Sequence, residues 1–105
     1  MLFDEYKKHK DARLRPSLLW EYEQEGFEWD AMRTVVVQRV VERGLVSDFY
    51  FILNRYGLKG VKDAIKDIPY LNAKDRNFVC VTFNLKPEEL KCYTHRQSIQ
   101  KHWNS

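Results

Sequence analysis

The chain has 105 residues, of which 44% are hydrophobic and 14% aromatic, and its formal net charge is +3. This apolar content can close one hydrophobic core, so the composition excludes global disorder and favours a single domain. So small a net charge argues against a dedicated nucleic-acid coat. No stretch approaches the ~20 apolar residues of a membrane span, and the charged N-terminus lacks the apolar region of a signal peptide. We therefore expect a cytoplasmic protein with no membrane segment and with reduced cysteines.

The charge is arranged in stripes along the chain. Residues 6–15 are basic, with Asp11 as their one acid, whereas residues 21–30 hold several acids and no Lys or Arg. Residues 1–90 carry no net charge, so residues 91–105 supply the whole positive excess. Such striping favours binding to a partner of complementary charge.

Residues 29–43 give the strongest helical pattern, although the run TVVVQRVV is rich in the β-branched residues that favour strands. A strand would need alternation, which the adjacent polar residues Gln38 and Arg39 break. The apolar positions instead share one helical face, and Gly44 follows as a stop signal. The sequence therefore predicts a helix over 29–43.

Shorter helical patterns lie on both sides of this one. They span residues 17–24, 47–56, 58–68, 72–84 and 86–93. Four of them contain a residue that favours helix N-termini: Ser17, Ser47, Asn72 and Pro87. In residues 58–68 the predicted buried face is Leu58, Val61, Ile65 and Ile68. A last pattern after Thr94 predicts a helix that docks on the core through Ile99 and Trp103.

These patterns predict an all-α protein, a compact bundle of five to seven short helices, because the connections are short and none of the segments requires a sheet. We divide the chain into a basic N-terminal segment (1–15), a helical domain (16–93) and a C-terminal docking helix or tail (94–105).

The C-terminal segment contains three residues that bind metals in other proteins, Cys92, His95 and His102. A structural zinc site normally takes four ligands in two close pairs, and only one close pair is present here. A Cys–His nucleophile also needs a third orienting group, for which the sequence has no candidate. Phosphate loops and hydrolase motifs are absent from the sequence as well. We predict no metal, no cofactor and no enzymatic activity.

The basic ends are candidates for binding DNA or RNA. Lys and Arg bind phosphates while aromatic rings stack on bases. The candidate residues are Lys7, Lys8, Lys10, Arg13, Arg96 and Lys101, with Arg15 beside them. A recognition helix over residues 72–84 is the weaker version of this hypothesis, because Asp75 dilutes its positive charge.

The acidic segment fits binding to a protein partner better than any other function. Aromatic residues among polar ones are typical of the anchors of protein interfaces. The candidate residues are Trp20, Glu21, Glu23, Glu25 and Glu28. Trp29 is expected in the core rather than in the interface, because most tryptophans of a small domain are buried at home.

Three stretches carry a resemblance to a known family. These are LLWEYEQEGFEWDAMRTVVVQRVVERG, DFYFILNRYGLKGVKDAI and YLNAKDRNFVCVTFNLKPEELKCYT. Together they resemble a family of small bacterial domains of unknown function across roughly residues 16–93. The positions that match are Trp20, Tyr22, Phe27, Trp29, Val40, Glu42, Arg43, Gly44, Tyr56, Gly57, Leu71, Lys74, Pro87, Glu88 and Glu89.

The resemblance implies a fold and a kind of partner, but no chemistry. Members of the family are often encoded beside nucleotidyltransferase-type toxins, which implies an antitoxin-like protein with a toxin as its partner. The leading hypothesis is therefore a non-enzymatic interaction domain that masks a toxin. The alternative is a DNA- or RNA-binding regulator that uses the basic ends.

Overall fold

The computed structural model describes residues 2–19 and 26–91. In these two ranges the chain forms three α-helices, three short 3-10 helices and no β-strand. The α-helices are α1 (Arg33–Arg43), α2 (Val46–Asp67) and α3 (Ala73–Phe83), and the 3-10 helices are Asp4–Lys8, Pro16–Leu19 and Pro87–Glu89. The all-α class is confirmed. The predicted number of five to seven helices is wrong for the described residues. The helices predicted over 47–56 and 58–68 form the single helix α2, and 3-10 turns stand at the starts of those predicted over 17–24 and 86–93.

Helix α1 places its valines in the core. Val36, Val37 and Val40 are 0% exposed and Val41 is 7% exposed, and α1 packs mainly against α2. The helical interpretation of this segment is therefore confirmed, since the face that the spacing predicts is the buried one. The helix begins at Arg33 rather than at residue 29, because residues 29–32 form turns.

A tight junction joins α1 to α2. Gly44 has an ordinary backbone (φ −75°, ψ 154°), and its N–H donates to the Val40 carbonyl at 2.7 Å. A Cβ atom at Gly44 would lie 2.5 Å from the Val40 carbonyl oxygen, so glycine is needed there for space. The next helix is not capped by Ser47 as predicted. Leu45 is its N-cap, and the Asp48 side chain accepts from the Leu45 backbone N–H at 2.8 Å.

Helix α2 is broken in its middle by Gly57. This residue has φ 77° and ψ 163°, a conformation that only glycine adopts without strain. The break falls between the two predicted helices of residues 47–56 and 58–68. Val61, Ile65 and Ile68 lie in the core as expected, but Leu58 is 37% exposed and its prediction as a buried residue is wrong. Leu58 directly follows the break and lines a surface groove instead.

Helix α3 begins where the sequence predicts. The Asn72 side chain accepts from the Asp75 backbone N–H at 2.8 Å, and Asn84 ends the helix in the left-handed conformation at φ 54°. The helix predicted over residues 86–93 does not run through, because Leu90 is extended and turns its side chain, 0% exposed, into the core.

The N-terminal segment contributes to the same core. Phe3 is 2% exposed and stacks on Phe49 of α2 with ring centroids 4.4 Å apart. The 3-10 helix Pro16–Leu19 buries Leu18 and Leu19 and stands where the helix of residues 17–24 was expected to begin. The predicted docking helix of residues 94–105 lies outside the described residues. In the described part of the chain, no helix is both long enough and apolar enough to cross a membrane.

Candidate functional site

The segment of residues 27–30 alternates rings with acids. Phe27 and Trp29 are half-buried and pack against the core, while Glu28 and Asp30 are exposed. The two rings meet edge to face with centroids 4.7 Å apart, and the Trp29 ring lies 5.3 Å from that of Phe51 in α2. The rings thus hold the segment on the protein, and its two carboxylates are presented to solvent.

Hydrogen bonds fix the backbone of this segment. The Tyr56 hydroxyl donates to the Trp29 carbonyl at 2.7 Å, and the Met32 N–H donates to the Glu28 carbonyl at 2.9 Å. Burial raises the pKa of Tyr56 to about 12; Asp30 adds a smaller increase, and Arg55 and Arg33 act in the opposite direction. The phenol therefore stays protonated near neutral pH, and its bond to the segment persists there.

One of the five predicted protein-binding residues lies in this segment. Glu28 is exposed, as a contact residue must be. The other four, Trp20, Glu21, Glu23 and Glu25, lie outside the described residues. Trp29, for which the sequence favoured the core, packs against it.

The predicted basic segment is ordered on the surface of α2. The 3-10 helix Asp4–Lys8 packs against α2, and the exposed basic residues of the segment are Lys7, Lys8, Lys10 and Arg13. Asn54 of α2 pins the backbone, because its Nδ2 donates to the carbonyls of Tyr6 at 2.8 Å and His9 at 3.1 Å. Arg96 and Lys101, which the sequence grouped with these bases, lie outside the described residues.

Arg15 differs from the exposed basic residues of this segment, because its side chain is bound to other parts of the fold. Its Nε donates to Oδ2 of Asp48 at 2.9 Å, its backbone N–H donates to Oδ1 at 3.1 Å, and its terminal guanidinium nitrogen donates to the Arg43 carbonyl at 2.8 Å. Asp48 is completely buried. The pair joins the N-terminal segment to the α1–α2 junction, so the role of Arg15 is structural.

Sequence reasoning missed both of the anchoring residues in α2. Asp48 has the position of an ordinary first-turn acid, and only the fold shows that it is buried against Arg15. Asn54 left a usable signal, because asparagine is disfavoured inside a helix unless its side chain finds partners.

Two of the grooves on the described surface lie beside α2 and α3. One has a volume of about 530 Å³, and its lining combines basic and acidic side chains: Leu58, Lys59, Lys62, Asp63, Lys66, Asn84, Leu85 and Glu89. The other has a volume of about 230 Å³ and lies beside Cys80 in α3. Within residues 2–19 and 26–91, no three potential metal ligands cluster. Cys92, His95 and His102, which the sequence analysis weighed as ligands and rejected, lie outside these residues.

Residues 14–65 match a family of unknown function, DUF6922. The match covers the 3-10 helix Pro16–Leu19, α1 and nearly all of α2, and so it includes the segment of residues 27–30. No curated protein and no solved structure matches the chain. The expected similarity to a small domain of unknown function is confirmed, while the bacterial origin and the toxin neighbour stay predictions.

Proposed function

We propose that this chain is a non-enzymatic interaction domain that binds a protein partner, in the manner of an antitoxin that masks a toxin. One observation of the structure supports it most. Phe27 and Trp29 tie their segment to the core, and Glu28 and Asp30 project from it into solvent. When charged side chains lie on a fixed backbone, binding a partner does not require the loss of conformational entropy that ordering a loop would cost. The cytoplasmic location belongs to the same proposal.

The partner surface would be basic. Glu28 and Asp30 continue an acidic run that the sequence carries through Glu21, Glu23 and Glu25. Like charges in a cluster attract an oppositely charged surface over about one Debye length, which raises the association rate more than the affinity. A toxin that handles nucleotides or RNA would have such a basic surface around its substrate site.

Co-purification from the native host tests the proposal. The tagged chain should recover one specific partner, and reversing Glu21, Glu23, Glu25 and Glu28 to lysine should release it. If the intact chain recovers no specific partner, the proposal is wrong.

A second candidate function, binding of DNA or RNA, is favoured by a different observation. Residues 7–13 contain four bases and one acid, all exposed, on a backbone that Asn54 holds in place. A preformed basic strip suits a phosphate backbone. Binding should weaken steeply with salt, since each neutralised phosphate releases counterions. A gel shift with no retarded band even at low salt would remove this candidate.

A further inference from the structure

The ring of His9 lies flat on the ring of Tyr50. Their centroids are 4.5 Å apart and their planes differ by 2°. Tyr50 is half-buried in α2 while His9 is exposed. One face of the imidazole is therefore backed by the phenol ring, and the residue's outer side is open to solvent.

The backbone on each side of His9 is fixed as well. The His9 carbonyl accepts from Asn54 Nδ2 at 3.1 Å and from the Ala12 N–H at 3.0 Å, while the His9 N–H donates to the Tyr6 carbonyl at 3.0 Å. Upstream, Phe3 is held in the core. The ring pair is thus preorganised, so a ligand that stacks on it does not bear the cost of ordering the segment.

The flanking residues add positive charge. Lys8 and Lys10 adjoin His9, and Lys7 and Arg13 lie nearby in the chain; all four are exposed, with Asp11 as the one acid among residues 7–13. None of the four bases forms an ion pair with a described residue. Their charges are therefore available to phosphates.

We infer that the His9–Tyr50 pair and the basic residues that flank it form a binding site for single-stranded nucleic acid. A nucleobase stacks on the outer face of His9, and the neighbouring phosphates contact Lys8, Lys10 and Arg13. A single strand is the ligand because the bases of a duplex are already stacked on one another and cannot offer a face to a side chain. This inference deepens the second candidate function and depends on it.

The test is fluorescence anisotropy of a labelled single-stranded oligonucleotide, with the matched duplex beside it, over a series of salt concentrations. His9→Ala removes the outer ring, and His9→Phe keeps a flat ring in its place. Lys8→Gln with Lys10→Gln removes two charges from the site. The matched control, Lys59→Gln with Lys62→Gln, removes the same charge from the groove that follows Gly57 in α2.

We expect the wild-type chain to prefer the single strand, and His9→Ala to weaken its binding by roughly 5- to 100-fold, the usual effect of losing one stacking ring. His9→Phe should stay within about threefold of wild type, since every flat ring offers a stacking face. The site lysine variants should weaken binding and reduce its salt dependence, and the control lysine variants should do neither. Thermal melts confirm that each variant is folded.

Three results would overturn the inference, and they differ in what else they remove. If His9→Ala binds as tightly as wild type while the site lysine variants bind more weakly, the basic residues bind nucleic acid without a stacking platform. Equal affinity for duplex and single strand, or equally effective competition by polyglutamate, shows a general surface for polyanions or acidic proteins. If the wild-type chain binds neither oligonucleotide at low salt, the second candidate function fails together with the inference.

Discussion

Replacing Asp48 by alanine should destabilise the protein more than any other single change of a charged residue in its described part. The carboxylate is completely buried and accepts three hydrogen bonds: from Arg15 Nε at 2.9 Å, from the Arg15 N–H at 3.1 Å and from the Leu45 N–H at 2.8 Å. Alanine leaves all three donors without this acceptor. One of them is the N-cap donor of α2, so the variant also weakens the start of that helix.

The magnitude follows from these three bonds. Loss of a helix cap costs about 1 kcal/mol, and loss of the bond to the Arg15 backbone about 1 kcal/mol more. The charged bond contributes about another 1 kcal/mol, at the low end for buried pairs, because the Arg15 side chain is 38% exposed and screened by solvent. The free energy of unfolding should therefore fall by about 3 kcal/mol, a large part of the ~5–15 kcal/mol that is typical of a domain.

Urea denaturation followed by far-ultraviolet circular dichroism measures this loss. Arg15→Met should cost about 1 to 2 kcal/mol, and the neighbouring exposed Arg13→Met less than about 0.5 kcal/mol. The double variant of Arg15 and Asp48 should show a coupling energy of about 1 kcal/mol. A loss below about 1 kcal/mol for Asp48→Ala, or zero coupling in the cycle, would refute the reasoning.

Three further variants test other parts of the fold. Gly57→Ala should lower the free energy of unfolding by about 1 to 3 kcal/mol. The loss comes from backbone strain alone, because φ is 77° and no atom lies within 4 Å of the added Cβ. An unchanged urea midpoint would contradict this. Gly44→Ala should lower the free energy of unfolding by about 1 to 3 kcal/mol through steric overlap, because the Cβ would lie 2.5 Å from the Val40 carbonyl oxygen. A rise in melting temperature would contradict this and show that the backbone of the junction shifts to make room. Tyr56→Phe should cost about 1 kcal/mol by losing the bond to Trp29. The folded wild type keeps the Tyr56 proton up to a pKa of about 12 while the unfolded chain releases it near 10, so its stability falls by about 1 to 2 kcal/mol as the pH rises through that window. Tyr56→Phe lacks this loss, and parallel pH curves for the two proteins would contradict the assignment.

The sequence was sufficient to predict the helix of residues 33–43, because the decisive signal there is local. Four valines at helical spacing lie on one face, and that face is buried. Their β propensity was outweighed because every one of them packs in the core as part of a helix. The predicted start at residue 29 was too early, since residues 29–32 are held as turns in part by Tyr56, which is distant in sequence.

The predicted helix starts at Asn72 and Pro87 are confirmed, whereas the start at residue 29 was too early and Leu45 rather than Ser47 caps α2. Asn72 begins α3 as its capping chemistry indicates. Pro16, rather than the predicted Ser17, is the first residue of one 3-10 helix, and Pro87 is the first residue of another, which ends at Glu89. What stops the second of these is the burial of Leu90, a tertiary contact that no local start signal contains.

The candidate functional residues also differ in whether local sequence or a tertiary contact decides their role. The exposure of Glu28 and of Lys7, Lys8 and Lys10 could be predicted, since charged residues in a polar run seldom enter a core. The structural role of Arg15 could not, because it depends on Asp48 being brought beside it by the fold. The stacking of His9 on Tyr50 likewise joins residues from two segments whose sequences show no relation.

The most direct test of the proposed interaction domain is the association rate with the partner recovered from the native host, measured by stopped flow at low and at physiological salt. The decisive variant carries Glu28→Lys with Asp30→Lys, and its control carries Glu42→Lys with Asp67→Lys, two exposed acids elsewhere with the same change in net charge. We predict that the first pair slows association by at least about tenfold at low salt, and that salt reduces this difference. The control should slow it far less. Equal slowing by both pairs would show that only net charge matters and would contradict a binding site at residues 27–30.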